Sequence, residues 1–295
     1  MGLKAHLIDG TYELFRHHFG VPEEARQPGS NAAARGVLWT VYYLLEEGAT
    51  HVGVATDQVI ESFRNDMWPG YKTGAGIDPV LLAQFPVLED GLEAMGVKVW
   101  PMRDLEADDA LASAAAVLAE HDEVEQIVIM TPDKDLGQCV LDGRIVQYDR
   151  RKQAFLDEAA IKAKFGVEPH SIPDYLALVG DSADGFPGLP GWGAKSAAAV
   201  LARYHHLEDI PDAPGRWDVT VRGGAKLAAT LAGNRELALL FRDIATLRID
   251  RSLVPSVDSI RWQGPTEGFA ELCDRIDATQ LAPRAAALAA ARRTS

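Results

Sequence analysis

The chain has 295 residues, 47% hydrophobic and 24% charged, with 29 Lys and Arg against 43 Asp and Glu and a net charge of −14. That composition excludes a disordered or fibrous chain and leaves a globular one, long enough for one large domain or two smaller ones. Two cysteines, Cys139 and Cys273, exclude a disulfide scaffold and point to a reducing, cytoplasmic setting; no apolar run nears the ~18 residues of a membrane span, and Met1-Gly2-Leu3-Lys4-Ala5-His6 reads as neither a secretion nor a myristoylation signal.

The first part alternates short apolar runs with helical patterns, as βαβ proteins do. Strands are expected at 5–8, 51–55, 97–100 and 126–130. The last is an unbroken apolar run of the kind buried on both faces of a parallel sheet. Helical spacing and strong helix formers mark 32–46 and 108–119. From about Asp157 the β signal fades, and helical stretches follow, broken by Gly and Pro at 185–193, 211–215 and 223–224. The Ala-rich stretch 285–291 closes the chain as one helix. The expected class is α/β: a parallel-sheet core over 1–170, then a smaller helical domain over 171–295.

Acidity ordinarily argues against a nucleic-acid partner, since phosphates want Lys and Arg. The excess is regional, however: residues 1–170 hold 28 acids and 15 bases, the remainder 15 and 14. In open parallel sheets, sites form beyond the carboxyl ends of the strands. Asp9 follows the first predicted strand, Asp57 the second, Glu106 comes shortly after the third and Asp133 after the fourth, so one edge collects them. Asp108 and Asp109 sit at a loop-to-helix junction, where acids cap a helix and favour its dipole. Asp133 and Asp135 are two apart, so a tight turn would face both inward. Asp181 and Asp184, at i,i+3, would be neighbours on one helical turn.

Singly, each of these acids reads as a cap or turn residue. Together, so many like charges on one rim need cations between them. Oxygen-rich clusters with open positions suit Mg²⁺ or Mn²⁺, not zinc, and such ions held about 4 Å apart activate water and brace the leaving oxygen of a phosphodiester. A metal-dependent phosphoryl-transfer site is therefore expected. Zinc-finger spacing, His-Glu-x-x-His and Gly-x-Ser-x-Gly are missing, and Gly191-Trp192-Gly193-Ala194-Lys195-Ser196 lacks both the Gly before its Lys and the leading strand of a phosphate loop.

Seven ordered stretches carry a resemblance: Leu7-Ile8-Asp9-Gly10, Ser62-Phe63-Arg64, Tyr71-Lys72, Glu106-Ala107-Asp108-Asp109, Thr131-Pro132-Asp133-Lys134-Asp135-Leu136, 180–188 and 191–197. Over roughly residues 5–250 the chain resembles the bacterial 5′-3′ exonuclease and flap endonuclease family, the nuclease domain that many bacteria fuse to DNA polymerase I. The resemblance implies a stand-alone nuclease, since no polymerase follows. It implies a PIN-like parallel-sheet core with a helical arch at about 63–97, then a helix–three-turn–helix at about 176–204 and C-terminal helices. The family's metal ligands fall on Asp9, Asp57, Glu106, Asp108, Asp109, Asp133, Asp135, Asp181 and Asp184, which would hold two or three Mg²⁺ or Mn²⁺ ions, with Asp9 and Asp109 central to catalysis. Lys72 resembles the lysine at the arch base that stabilises charge on the scissile phosphate, and Arg64 a neighbour reaching the same phosphate. Tyr71 is placed to stack on an unpaired base.

The same resemblance makes 188–196 a turn that grips the duplex backbone. Gly188, Gly191 and Gly193 would let the main chain approach phosphates, while Lys195, Ser196 and the amides of the following helix supply positive potential. Relatives also hold K⁺ through main-chain oxygens of this turn. The implied partner is DNA with 5′ flaps, ends or nicks, with RNA in hybrid with DNA as a second partner, no membrane, and a monomeric, nucleoid-associated protein. Two other readings stand beside this one: a structure-specific DNA-binding protein with little turnover, and a PIN-type ribonuclease, against which the C-terminal turn argues. One departure is plain. Family members usually carry Arg three residues after the lysine, where this chain has Ala75; between Lys72 and Lys98 there is no Lys or Arg, while Asp78, Glu89, Asp90 and Glu93 are present. An arch so poor in positive charge should attract a flap weakly and with little salt dependence.

Overall fold

The computed structural model describes residues 2–294. In chain order the elements are β1 (Leu3–Asp9), α1 (Gly10–Gly20), α2 (Ala32–Glu46), β2 (His51–Asp57), α3 (Phe63–Met67), α4 (Pro79–Leu82), α5 (Gln84–Ala94), β3 (Lys98–Met102), α6 (Ala107–Leu118) and β4 (Val124–Met130). Then come β5 (Ile145–Asp149), β6 (Ala154–Leu156), α7 (Glu158–Phe165), α8 (Ile172–Val179), α9 (Ala194–Tyr204), α10 (Gly224–Gly233), α11 (Arg235–Ala245), α12 (Phe269–Arg275) and α13 (Leu281–Thr294). They form two compact units: residues 2–60, 74–131 and 249–294 make the first, residues 61–73 and 132–248 the second.

In the first unit, β3, β2, β1 and β4 lie side by side in that order and run parallel. Ala5 pairs with His51 and Ile127, and Ile8 with Val54 and Met130, so these strands finish at a common edge. Residues 51–56 are all buried, which requires cover on both faces; α6 packs on all four strands, and α1 and α5 reach β2 and β3. The small side chains of α6 (Ala110, Ala112, Ala114 and Ala115, all buried) let it lie close to the strands. The last segment returns to this unit. Trp262 Nε1 donates to the Met95 carbonyl at 2.8 Å, Arg35 to the Ile276 carbonyl at 2.7 Å, and Arg292 to the Ala49 carbonyl at 2.9 Å. The expected grouping of 171–295 therefore divides: helical spacing shows that α12 and α13 exist, but not against which element their apolar faces pack.

The segment expected as an arch is discontinuous. α3 belongs to the second unit, α4 is a single turn, and α5 buries Phe85, Leu88 and Leu92 in the first.

In the second unit, α8 packs on α11 and α9. Its core includes Leu176, Leu178, Phe186, Val200, Leu201 and Phe241, where each fully buried large side chain contributes roughly 1.5–3 kcal/mol. α9 buries Ala197, Val200, Leu201 and Tyr204, the i, i+3, i+4, i+7 stripe of an amphipathic helix. The antiparallel pair β5 and β6, with Asp149 opposite Ala154, was not foreseen: its turn, Arg150-Arg151-Lys152-Gln153, takes its positive φ (51°) at Gln153 instead of a glycine. Among the described residues no helix is long and apolar enough to cross a membrane.

Candidate metal centre and nucleic-acid-binding turn

The first unit assembles its acids at strand ends. Asp9 ends β1 and caps α1, its Oδ1 accepting the Tyr12 N–H at 2.8 Å while Oδ2 accepts the Thr131 hydroxyl at 2.9 Å. Asp57 ends β2; its Oδ1 accepts the Ala107 N–H at 2.8 Å, and its own N–H donates to Thr11 Oγ1 at 2.8 Å. Glu106 precedes α6 and forms a reciprocal capping box with Asp109, whose Oδ2 accepts the Glu106 N–H at 2.9 Å. Asp109 is fully buried, Asp108 half-buried beside it in the first turn. The unpaired amides and positive dipole end of α6 favour acids here. Asp9, Asp57, Glu106, Asp108 and Asp109 thus lie at strand ends and the α6 start, as the spacing implied.

Glu89 belongs with them, although the sequence reading placed it among the charges of an acidic arch. It is buried, accepting the Thr56 hydroxyl at 2.6 Å and the Gln58 amide at 2.8 Å, the two residues flanking Asp57. Its α5 position facing inward, next to Leu88 and Leu92, is the signal that could have revealed this.

The second unit carries the other acids. Asp133 is exposed and its Oδ1 accepts the Asp135 N–H at 2.9 Å, a local turn that sends Asp135 into the interior. Of this pair, therefore, only Asp135 faces inward. Asp181 and Asp184 are not on a helical turn, contrary to the i,i+3 reading. Gly180, at φ 81°, ends α8, and paired main-chain bonds between Asp181 and Phe186 (2.8 and 3.0 Å) close a loop that contains both acids. The loop still brings them together with Asp135: one carboxylate oxygen of each of Asp135, Asp181 and Asp184 lies within 4.8 Å of the other two.

This juxtaposition is electrostatically costly. Burial, then the charges of Asp133, Asp184 and Asp181, push the Asp135 carboxyl well above its ordinary range. Burial likewise raises Asp184, against the opposing pull of Lys72, whose Nζ is 3.1 Å away. Asp135 Oδ1 is buried without a hydrogen-bond partner, a penalty on the order of 1–3 kcal/mol. A hard divalent cation is the group such oxygens fit, and Asp135, Asp181 and Asp184 could hold one. Lys134, between Asp133 and Asp135 in the sequence, also belongs to this site. Its ammonium pairs with Asp181, and although burial works to lower its pKa, that bond and the surrounding acids hold it above the usual lysine value.

The other expected site residues divide. Lys72 lies beside the trio: its Nζ reaches Asp184 and stands 5.5 Å above the Tyr71 ring, while its N–H donates to the Asp184 carbonyl at 2.9 Å. Arg64 departs from expectation. It is 2% exposed, and its guanidinium donates to the carbonyls of Ile244 at 2.8 Å and Thr246 at 3.3 Å. Helix ends leave such carbonyls unpaired, so Arg64 caps α11 instead of being presented to a phosphate. Tyr71 is 4% exposed and belongs to the hydrophobic core of its unit, which leaves no open face for a base.

The turn between α8 and α9 spans 180–193. Gly188 is required by the chain itself: at φ 68°, a Cβ would lie 2.3 Å from the Gly180 nitrogen. Gly191 has φ 82° and Gly193 faces open space, so a phosphate backbone could approach there. Ser196 exchanges hydrogen bonds with Gly193 (3.1 and 2.9 Å) and closes the α9 cap, while Lys195 is exposed in the first helical turn.

Comparison with known proteins agrees with this architecture. Residues 4–166 match the 5′-3′ exonuclease N-terminal resolvase-like domain, and residues 167–268 the 5′-3′ exonuclease C-terminal SAM fold. A DNA polymerase I from Bacillus caldotenax is 32% identical over 272 residues, covering 90% of this chain and 30% of the relative, so the chain spans under a third of that protein. A 5′-3′ exonuclease from Aquifex aeolicus is 33% identical over 208 residues, covering 70% of this chain and 71% of the relative. A bacteriophage T5 flap endonuclease solved with DNA and metal ions superposes with a TM-score of 0.65 at 18% identity, covering 95% of this chain and 99% of that one. With both halves matched in order, the chain belongs to the 5′-3′ exonuclease family.

Proposed function

We propose that this protein is a divalent-metal-dependent 5′ nuclease, hydrolysing phosphodiesters in DNA with 5′ flaps, ends or nicks. The observation that carries the reading is the trio Asp135, Asp181 and Asp184, with oxygens within 4.8 Å and one buried oxygen lacking a partner. Asp9, Asp57, Glu106, Asp108, Asp109 and Asp133 complete the proposed ligand set for two or three Mg²⁺ or Mn²⁺ ions. Bound there, such ions supply a water of lowered pKa and neutralise the departing oxygen. Lys72 would place its ammonium on the scissile phosphate, exchanging its bond to Asp184 for one to the substrate. Asp9 and Asp109, fixed by the caps of α1 and α6, would hold the reacting centre rigid. Gly191, Gly193, Lys195 and the α9 amides would grip the duplex backbone, with K⁺ on main-chain oxygens of the turn. We place the boundary between the nuclease and DNA-gripping parts near residue 170, and read the protein as a cytoplasmic, nucleoid-associated monomer that tolerates RNA in hybrid with DNA.

The test is incubation with labelled 5′-flap, nicked and single-stranded substrates, with and without Mg²⁺ or Mn²⁺. Cleavage near the branch should need the metal, and Asp133→Asn, Asp109→Asn and Lys72→Ala should each lower it by at least about a hundredfold. Unchanged cleavage in both Asp variants would refute the ligand assignment. Tight flap binding with no product under any metal would make this a binding protein.

A further inference from the structure

Lys134 lies between Asp133 and Asp135 in the chain, and its ammonium pairs with Asp181, whose side chain is 3% exposed. On the other side of the same trio, Lys72 holds Asp184 at 3.1 Å. Two of the three acids therefore carry a lysine, and the third, Asp135, has the unpartnered oxygen. The two lysines differ in their surroundings. Lys72 stands over the Tyr71 ring and is bound through its own main chain to Asp184, whereas Lys134 Nζ has acids around it, Asp181, Asp135 and Asp133. About a third of the Lys134 side chain is exposed, so its four-carbon stem can carry the ammonium out to water.

We propose that Lys134 is an internal counter-ion that competes with the divalent metal for Asp181 and thereby sets the affinity of the trio for it. This rests on the metal-binding reading given above and adds a residue that tunes it. An ammonium and a dication cannot both occupy the same carboxylate oxygens at close range without repelling each other, so metal entry requires Lys134 to leave. With the lysine seated, the metal-free trio is partly neutralised and stays folded; with the metal seated, the lysine is released towards solvent. Metal affinity is reduced by the fraction of molecules whose lysine is seated, as for any competition between two states. The released ammonium is then free to meet a substrate phosphate, which would couple metal loading to DNA binding.

The experiment is a calorimetric Mn²⁺ titration of the whole protein in three forms: wild type, Lys134→Met and Lys134→Arg, each checked for folding by its thermal transition. Lys134→Met keeps the aliphatic stem and removes the competitor, so Mn²⁺ should bind at least about tenfold more tightly, a shift of 1.4 kcal/mol. Lys134→Arg keeps the positive charge and should remain within about threefold of wild type. Mn²⁺ binding in wild type with equal or weaker affinity in Lys134→Met overturns the competition while leaving the metal reading in place. Absence of Mn²⁺ uptake by all three proteins overturns both.

Discussion

Replacing Asp135 by Asn should make the metal-free protein more stable and reduce its stabilisation by Mn²⁺. The oxygens of Asp135, Asp181 and Asp184 lie within 4.8 Å of one another. At that separation two unit charges repel by about 3.5 kcal/mol at an effective dielectric constant of about 20. The ammonium groups of Lys134 and Lys72 offset part of this, and protonation of the raised Asp135 carboxyl relieves more. A net gain of about 1–2 kcal/mol is left for an uncharged amide of the same shape, which corresponds to a rise in Tm of roughly 3–6 °C for a chain of this size. The amide also brings N–H donors to a site crowded with carboxylates. Saturating Mn²⁺ should raise the wild-type Tm by several degrees through mass action, and should raise that of Asp135→Asn by less, the ion held by the trio being lost. Thermal unfolding of both proteins, in chelator and in Mn²⁺, reads all four values. A lower Tm for Asp135→Asn in chelator, with its Mn²⁺ shift intact, would refute both the crowding and the proposed coordination.

Three other perturbations separate structural from chemical roles. Arg64→Ala strips a buried cap from the Ile244 and Thr246 carbonyls and should cost about 2–4 kcal/mol in urea unfolding; wild-type stability with weakened DNA binding would return Arg64 to the phosphate. His6, half-buried in β1 and close to Lys4, has its pKa lowered from 6.5 to about 4 by partial desolvation and that neighbouring charge, so the stability it carries is full above 6.5 and is lost as pH falls towards 4. That loss amounts to about 2–3 kcal/mol between pH 7.5 and 4.5, and His6→Gln should escape it; equal acid losses in both proteins would contradict the assignment. Ala75→Arg places a cation on the exposed segment after Lys72, and should raise flap affinity and steepen the salt slope by about 0.7 per phosphate contacted on a single strand; an unaltered slope would show that this segment does not meet the flap.

The parallel strands were legible because residues buried on both faces leave continuous apolar runs, and α2 was expected over the span it occupies, Ala32–Glu46. The acids at strand ends were equally visible, since topology alone sends Asp9, Asp57 and Glu106 to the carboxyl edge. What could not be read was decided by long-range packing. Arg64 and Tyr71 belong to motifs that suggest contact with DNA, yet the carbonyls that bind one lie 180 and 182 residues away, and the core that encloses the other is built largely from residues beyond 139. Glu89 looked like a solvated charge until α5 turned it towards Thr56 and Gln58. Lys134 looked like a spacer between two acids, because its partner Asp181 is supplied by a loop that ends α8. The β5–β6 hairpin was hidden by a turn built from charged residues in place of Asn-Gly.

The central claim is that these carboxylates hold divalent cations. Its most direct measurement is the stoichiometry of Mn²⁺ taken up at neutral pH by the wild-type protein and by the Asp181→Asn, Asp184→Asn double variant. Two or three ions per wild-type chain, with at least one lost in the variant, is the expected result. No uptake by wild type, or the same number of ions in both proteins, would contradict it.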